Sequence, residues 1–508
     1  MGSISTQVPE SQKIPLFYAT VDGSMAGNLT QNQAALLVGQ MNTTGANAGT
    51  VTTMDTPIAI GSPALGTFYF GAGSMLDRMI QAFFNSNTGQ MLYAAAVADP
   101  SAGEQATGSI TIATAPTASG TLFVTIAGQL VQVAVGSTDI VGTVATNLAA
   151  AINAMVQLPV TATVASAEVT LTCNWKGLTG NDITIIPNFQ GPNSGQVFPK
   201  GLTLTVVAMS GGTSEPVFTN LITNIAAFPY LYVGLPYTDT ASELAWNTEY
   251  GFASGGRWNY SRQQYGQIFN AVRDGYSDAI TFGNGGPNAP QMSTMVIEPL
   301  TPSPVWEVAA GYVANAALGF SDDPARPLQT LELIGIVPAS QSNRFSQAEI
   351  NNLANSGLAV QAVAPNGNMA IMVEQTTYLK NAYGQGDTAF GLCTVLSTLA
   401  YILANLKASI TSKYPRSKLV ASGTAFGPGQ AIVTPAMIQA ELVAEYQGLV
   451  YDGVAQDLPS FIKNLIVQID SVNPNRVNVL FPPTLAGQLR IFAALAQFRL
   501  LAATPANL

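Results

Sequence analysis

Ile410 to Pro435 reads ITSKYPRSKLVASGTAFGPGQAIVTP, the most basic and most heavily punctuated stretch of an acidic chain. Tyr414-Pro415-Arg416 and Gly427-Pro428-Gly429-Gln430-Ala431 mark its two breaks, and the second is a rigid turn. Thr434-Pro435 before Ala436 starts a helix, with threonine as cap and proline in the first turn. That helix runs to Tyr446, and another is expected near Leu458 to Gln468. Upstream lies Ala389 to Leu406, AFGLCTVLSTLAYILANL, an uncharged run near the lower length limit for a membrane span. It carries Thr394, Ser397, Thr398 and Asn405 and lies between Asp387 and Lys407, so it reads as a helix buried in protein. Downstream, Arg476 to Phe481 alternates as a strand. The last run, Leu489 to Leu500, fits period two and helical spacing alike, and both readings stay open.

The rest of the chain narrows the function class. With 508 residues it can bury several domains, yet charged residues make up only 9%. Interface cores are depleted of charge, so the composition suits a surface that is covered in use. The net charge of −10 argues against nucleic-acid binding, which depends on neutralising phosphates. From Tyr401 onward eight basic residues face five acidic ones, which makes that tail +3 and leaves −13 on the first four hundred residues. Ends of opposite sign suit head-to-tail contact between identical copies. Cys173 and Cys393 are isolated, which excludes a disulfide framework. The opening MGSISTQVPESQ shows no secretory pattern.

Read in order, residues 21–99 begin an α/β pattern. Strands are expected at Phe17 to Val21, Ala34 to Val38, Phe68 to Phe70 and Met91 to Val97, with a helix over Met75 to Phe84. From about 100 to 210 the chain turns rich in Thr, Val, Ala and Gly. Short strands such as 109–113, 121–127, 129–135, 160–164 and 168–173, with one helix over 143–155, predict an inserted β-rich domain. The α/β alternation returns over 211–386. Helices are expected at 217–227, 242–252, 260–273, 306–318 and 347–355, strands at 230–233, 279–282, 295–298 and 331–336, and a hairpin at 358–374.

Tyr414-Pro415-Arg416, Gly427-Pro428-Gly429-Gln430-Ala431, Asn473-Pro474-Asn475-Arg476 and Phe481-Pro482-Pro483 resemble, in order and spacing, the C-terminal region of Mu-like contractile-phage tail sheath proteins. The likeness extends through Asp322-Asp323-Pro324 and is strongest from Gly211 to Leu500. It implies an α/β core with a subtilisin-like sheath domain, an inserted β-rich domain protruding outward, and an α+β C-terminal domain at 387–474. It also implies an N-terminal arm at 1–20 and a C-terminal arm at 475–508. Such subunits stack as hexameric rings into a helical sheath around a tail tube, between baseplate and tail terminator proteins. The localisation implied is the virion, after assembly in the host cytoplasm. Expected inter-subunit contacts are Phe17 and Tyr18, the cations Lys413, Arg416, Lys418, Arg476 and Arg490, and Val477, Val479 and Phe481. A different self-assembling shell component, a capsid or surface-layer protein, fits the low charge but not the motif order.

Chemistry has little foothold. There is no histidine, so the usual general base, the commonest metal ligand and every Ser-His-Asp or Cys-His arrangement are missing. A subtilisin-like fold therefore brings no protease with it. The glycine-rich stretches at 61–73, 283–286 and 423–429 match neither the phosphate-loop nor the dinucleotide pattern. Glu441 and Glu445 stand four apart on one helix face, where like charges repel unless a cation joins them. No cofactor, metal or enzymatic activity is expected.

Overall fold

The computed structural model describes residues 33–498. The strand expected at Phe17 to Val21 lies outside them. The chain opens with β1 (Ala34–Gln40), β2 (Ile58–Ile60), α1 (Pro63–Phe70), α2 (Met75–Ser86) and β3 (Leu92–Val97). Every residue of β1 is buried, as in a parallel strand covered on both faces. Helix α2 buries Met75, Met79 and Phe83 along one side, and Ser74 caps it by accepting from the Asp77 amide at 3.1 Å. Phe68 to Phe70, expected as a strand, is the last turn of α1. Pro63 in its first turn preorganises that helix.

The β-rich segment contains β4 (Gln105–Thr114), β5 (Gly120–Ile126), β6 (Gln129–Val135), α3 (Val141–Ala154), β7 (Val160–Ala165), β8 (Glu168–Lys176), β9 (Ile185–Pro187) and β10 (Thr203–Ser210). They form two antiparallel sheets, ordered β10-β4-β8-β7 and β6-β5-β9. Strand β10 has no counterpart in the sequence reading, although five of its eight residues are apolar; only Met209 among them is buried.

The chain then continues through α4 (Thr219–Ile225), β11 (Tyr230–Gly234), α5 (Thr240–Glu249), β12 (Gln267–Arg273), α6 (Tyr276–Gly285), β13 (Met292–Ile297), α7 (Val305–Asp322), β14 (Glu332–Leu333), α8 (Gln347–Asn355), β15 (Val360–Val363) and β16 (Met369–Val373). One six-stranded sheet, ordered β13-β12-β11-β1-β3-β2, is parallel except at its β2 edge. Helices α2 and α7 pack together and against this sheet. Three expectations are corrected here. The helix expected at 260–273 is a loop followed by β12, and the strand expected at 279–282 is part of α6. The strand expected at 331–336 shrinks to the two residues of β14.

The β-rich segment and the parallel sheet share one hydrophobic core. Trp175 of β8 meets Trp306 of α7 edge-on at 5.3 Å, and both rings are fully buried. Asp182 accepts from the Val305 amide at 2.8 Å, which caps α7, and pairs with Arg273 at the end of β12.

The remaining residues form α9 (Cys393–Lys413), β17 (Lys418–Leu419), β18 (Ile432–Val433), α10 (Pro435–Tyr451), β19 (Ala455–Gln456), α11 (Leu458–Asn464), β20 (Ile466–Ile469), β21 (Val477–Leu480) and β22 (Thr484–Leu485). Helix α9 is long and apolar enough to cross a membrane, yet only 33% of its most apolar window is buried. The helix expected as buried in protein is thus buried only in part, mainly over its first half. The start of α9 belongs to the large core through Cys393, while Ile402, Leu406 and Ile410 serve a second, smaller core with α10 and α11.

Candidate self-assembly surfaces

The small core is built around aromatic rings. Tyr446 of α10 stacks on Phe461 of α11 with ring centres 3.7 Å apart, and Phe481 meets Phe461 edge-on at 4.9 Å. The Tyr446 hydroxyl donates to the Gln456 carbonyl at 2.6 Å and accepts from the Thr484 amide at 3.1 Å. It thereby ties β19 to β22. Around this core sit three two-stranded sheets, β17-β18, β20-β21 and β19-β22, and among the described residues none has a third strand. Unpaired strand edges invite pairing with another chain.

Asn473-Pro474-Asn475-Arg476 forms the turn between β20 and β21. The Asp470 carboxylate accepts from the amides of Val472 and Asn473 and from the Asn478 side chain, and these bonds pull it down to about 2. Asn473 in turn accepts from the Asn475 amide at 3.0 Å. The motif thus holds Arg476 out at an exposed corner.

The expected contact residues fall into distinct settings. Arg416, Lys418 and Arg476 are exposed, with Lys418 donating to the Gln430 side chain at 2.9 Å. Lys413 pairs with Glu441 and supplies the cation that the Glu441–Glu445 face requires. That bond pushes the Lys413 ammonium up. Arg490 pairs within the chain with Glu374, whose side chain is fully buried. Val477 is half-buried against the small core, Phe481 lies inside its aromatic group, and Val479 is exposed beside Leu480. Phe17 and Tyr18 lie outside the described residues. The run expected as one arm over 475–508 is therefore mixed: 477–485 pairs with strands of its own chain. Beyond Arg490 the chain carries neither helix nor strand to residue 498, so both readings of 489–500 give way to an irregular segment over its described part. There Leu489, Ile491, Phe492, Leu495 and Phe498 are each more than 80% exposed, at 81%, 84%, 85%, 86% and 84%.

Some of the acidic residues expected to face the basic tail are tied up in internal pairs. Glu307 pairs with Arg78, Glu249 with Arg257 and Arg262, and Asp182 with Arg273. No local pattern signals these pairs, whose partners come together only through the fold.

Nucleophiles and clefts are similarly occupied by structure. Burial pushes the Cys173 and Cys393 thiols up to about 12, which leaves no reactive thiolate near neutral pH. In open parallel sheets ligands sit beyond the carboxyl ends of the strands. Here that place is a cleft of about 460 Å³ lined by Asp182, Glu215, Asp239, Arg273 and Asp274. Asp182 and Arg273 neutralise each other across it. Burial, with Asp239 nearby, pushes Glu215 up to about 8 and does the same to neighbouring Glu243. Among the described residues no group of acidic or thiol side chains is arranged to hold a metal ion.

Residues 211–377 match the family model described as the phage tail sheath protein central domain. Over 494 residues the chain is 34% identical to the Mu-like prophage FluMu tail sheath protein of Haemophilus influenzae, covering 97% of this chain and 98% of the relative. Among solved structures, the sheath tail protein of Desulfitobacterium hafniense overlaps 93% of this chain and 100% of its own, with 11% identity and a TM-score of 0.45. The anti-feeding prophage baseplate contains a chain overlapping 98% of this one and 100% of its own, with 8% identity and a TM-score of 0.46. These two likenesses are loose, and the assignment rests on the full-length relative. The chain belongs to the phage tail sheath protein family and is a structural subunit of a contractile tail.

Proposed function

We propose that copies of this chain stack as six-membered rings into a helical sheath around a tail tube, between a baseplate and a terminator. In this reading the subunit is assembled in the bacterial cytoplasm and works in the virion. The parallel-sheet body corresponds to a subtilisin-like sheath domain, and the β-rich segment faces outward. The terminal arms donate strands to neighbouring copies, so that backbone hydrogen bonds hold the lattice while the bodies swing during contraction. Heterologous contacts that do not close extend it along the tube. The energy resides in subunit packing, and no nucleotide is consumed.

The observation that carries this reading is the run after Arg490, where four large apolar side chains from Ile491 to Phe498 stand in solvent. Isolated exposed apolar residues are ordinary, whereas a contiguous apolar run marks a surface that another chain covers. Strands β20-β21, with Val479 and Leu480 exposed, offer a receiving edge. Arg416, Lys418 and Arg476 are the proposed lattice cations. The test is deletion of 491–508, followed by electron microscopy with tube protein present. A folded subunit that forms no sheath is expected; long tubes from the truncated chain would overturn the reading. A cut at 475 is the poorer test, since it removes β21, β22 and Phe481 from the small core.

A further inference from the structure

After β22 the chain leaves the small core and crosses to the parallel-sheet body. The Ala486 amide still donates to the Val454 carbonyl at 3.1 Å. Two residues on, the Gln488 side-chain amide donates to the Ala325 carbonyl at 2.9 Å, just beyond α7. Then the Arg490 guanidinium grips both carboxylate oxygens of Glu374, at the end of β16, with one contact at 3.1 Å. Gln488 stiffens this grip by accepting from Arg490 Nε at 2.8 Å. The Glu374 carbonyl also accepts from the Cys393 amide at 3.1 Å, at the first residue of α9. A cleft of about 230 Å³ lies between this strap and α9, lined by Leu392, Val395, Thr398 and Leu485. The strap is thus fastened at its ends and packs loosely along its length.

We propose that residues 484–490 form a clasp across the joint between the small C-terminal core and the parallel-sheet body, locked by Arg490 on Glu374. Helix α9 is the first link between the two cores, and the clasp is the second. One link permits swinging; two separated links fix an angle. The lock resists opening because Glu374 is buried, and withdrawal of Arg490 leaves a carboxylate without a counter-charge. The clasp also fixes where the exposed apolar run begins, so that run departs from the parallel-sheet body. None of this depends on polymerisation, and it is tested on the single subunit.

The experiment uses the full chain with spin labels on Asn351→Cys in α8 and Gln447→Cys in α10, both at exposed positions. Cys173 and Cys393 are buried and stay unlabelled. Pulsed dipolar spectroscopy gives the distance distribution between the labels, and hydrogen exchange reads the Ala486 amide. Arg490→Ala is expected to widen the distribution at least about twofold and to speed Ala486 exchange on the order of tenfold or more. Exchanging the charges, Glu374→Arg with Arg490→Glu, is expected to narrow the distribution again. If Arg490→Ala alone does not fold, Glu374→Gln with Arg490→Ala leaves no buried charge unpaired and is expected to show the same widening. An unchanged distribution with unchanged Ala486 protection, in whichever of these open-clasp variants folds, overturns the proposal. Loss of sheath with the joint still rigid would likewise count against the clasp while leaving the arm reading intact.

Discussion

Phe492→Ala separates folding from assembly. The Phe492 ring is 85% exposed and makes no aromatic contact among the described residues, so its removal leaves the isolated fold as it is. If a neighbouring copy covers the ring in the sheath, each added subunit gains the burial of one such side chain. That burial is worth about 1.5–3 kcal/mol. At 1.4 kcal/mol per tenfold, the critical concentration for polymerisation should rise roughly 10- to 150-fold. The assay is sedimentation of polymer across a concentration series, with a thermal melt of dilute subunit as control. An unchanged melting temperature with a raised critical concentration is expected. An unchanged critical concentration refutes the inter-subunit role of the run, and a lowered melting temperature would mean that the ring already supports its own subunit.

Trp306→Ala removes one half of the buried Trp175–Trp306 contact and should cost about 3–5 kcal/mol, measured by denaturant unfolding. Glu243, 6% exposed and held up to about 8 in the folded chain, ionises near its ordinary 4.5 once unfolded. Its contribution is therefore full below about pH 4.5 and lost as pH rises through about 8. Glu243→Gln should raise the melting temperature near pH 8 relative to the parent and leave it unchanged near pH 4; equal melting curves at pH 8 would remove Glu243 from the account. Reversing Arg416, Lys418 and Arg476 together should weaken assembly by roughly 1–3 kcal/mol at low salt, taking each exposed pair at the upper part of its range. Since the Debye length shrinks to about 3 Å at 1 M, the deficit should vanish in high salt, as read by the same sedimentation assay.

Elements whose signals are local were legible in the sequence. Gln347–Asn355 begins where Ser346 and Glu349 form a capping box, and α10 begins where Thr434 accepts from the Met437 amide. The strands of the β-rich segment announce themselves by alternation. Strand β12 escaped because five of its seven residues are buried and both faces are covered, which erases period two and leaves Gln-Ile-Phe-Asn-Ala-Val-Arg indistinguishable from helix by pattern. Helix α6 escaped for the opposite reason. Its Ala279-Ile280-Thr281-Phe282 prefers strand locally, but Gly283 lies so close to the Ser356 carbonyl that an added Cβ would sit 2.4 Å from it, and this docking fixes the helix. The motifs at 414–416 and 473–476 were visible as punctuation. That Arg490 would settle on Glu374 was not, because residues 116 apart meet only through the tertiary fold.

Helix α9 bears on how such chains can be altered by exchange of parts. Its first half completes one hydrophobic interior and its second half another, with no spacer between Cys393 and Ile402 at which the two could be parted. A graft that imports a foreign C-terminal module with this rod must match its side chains at the recipient's large interior as well as at its own small one. Hybrids joined upstream, in the 378–390 segment where Tyr383 is 89% exposed, should yield soluble product only where the imported part keeps the side chains that fill the large interior and a cation for buried Glu374.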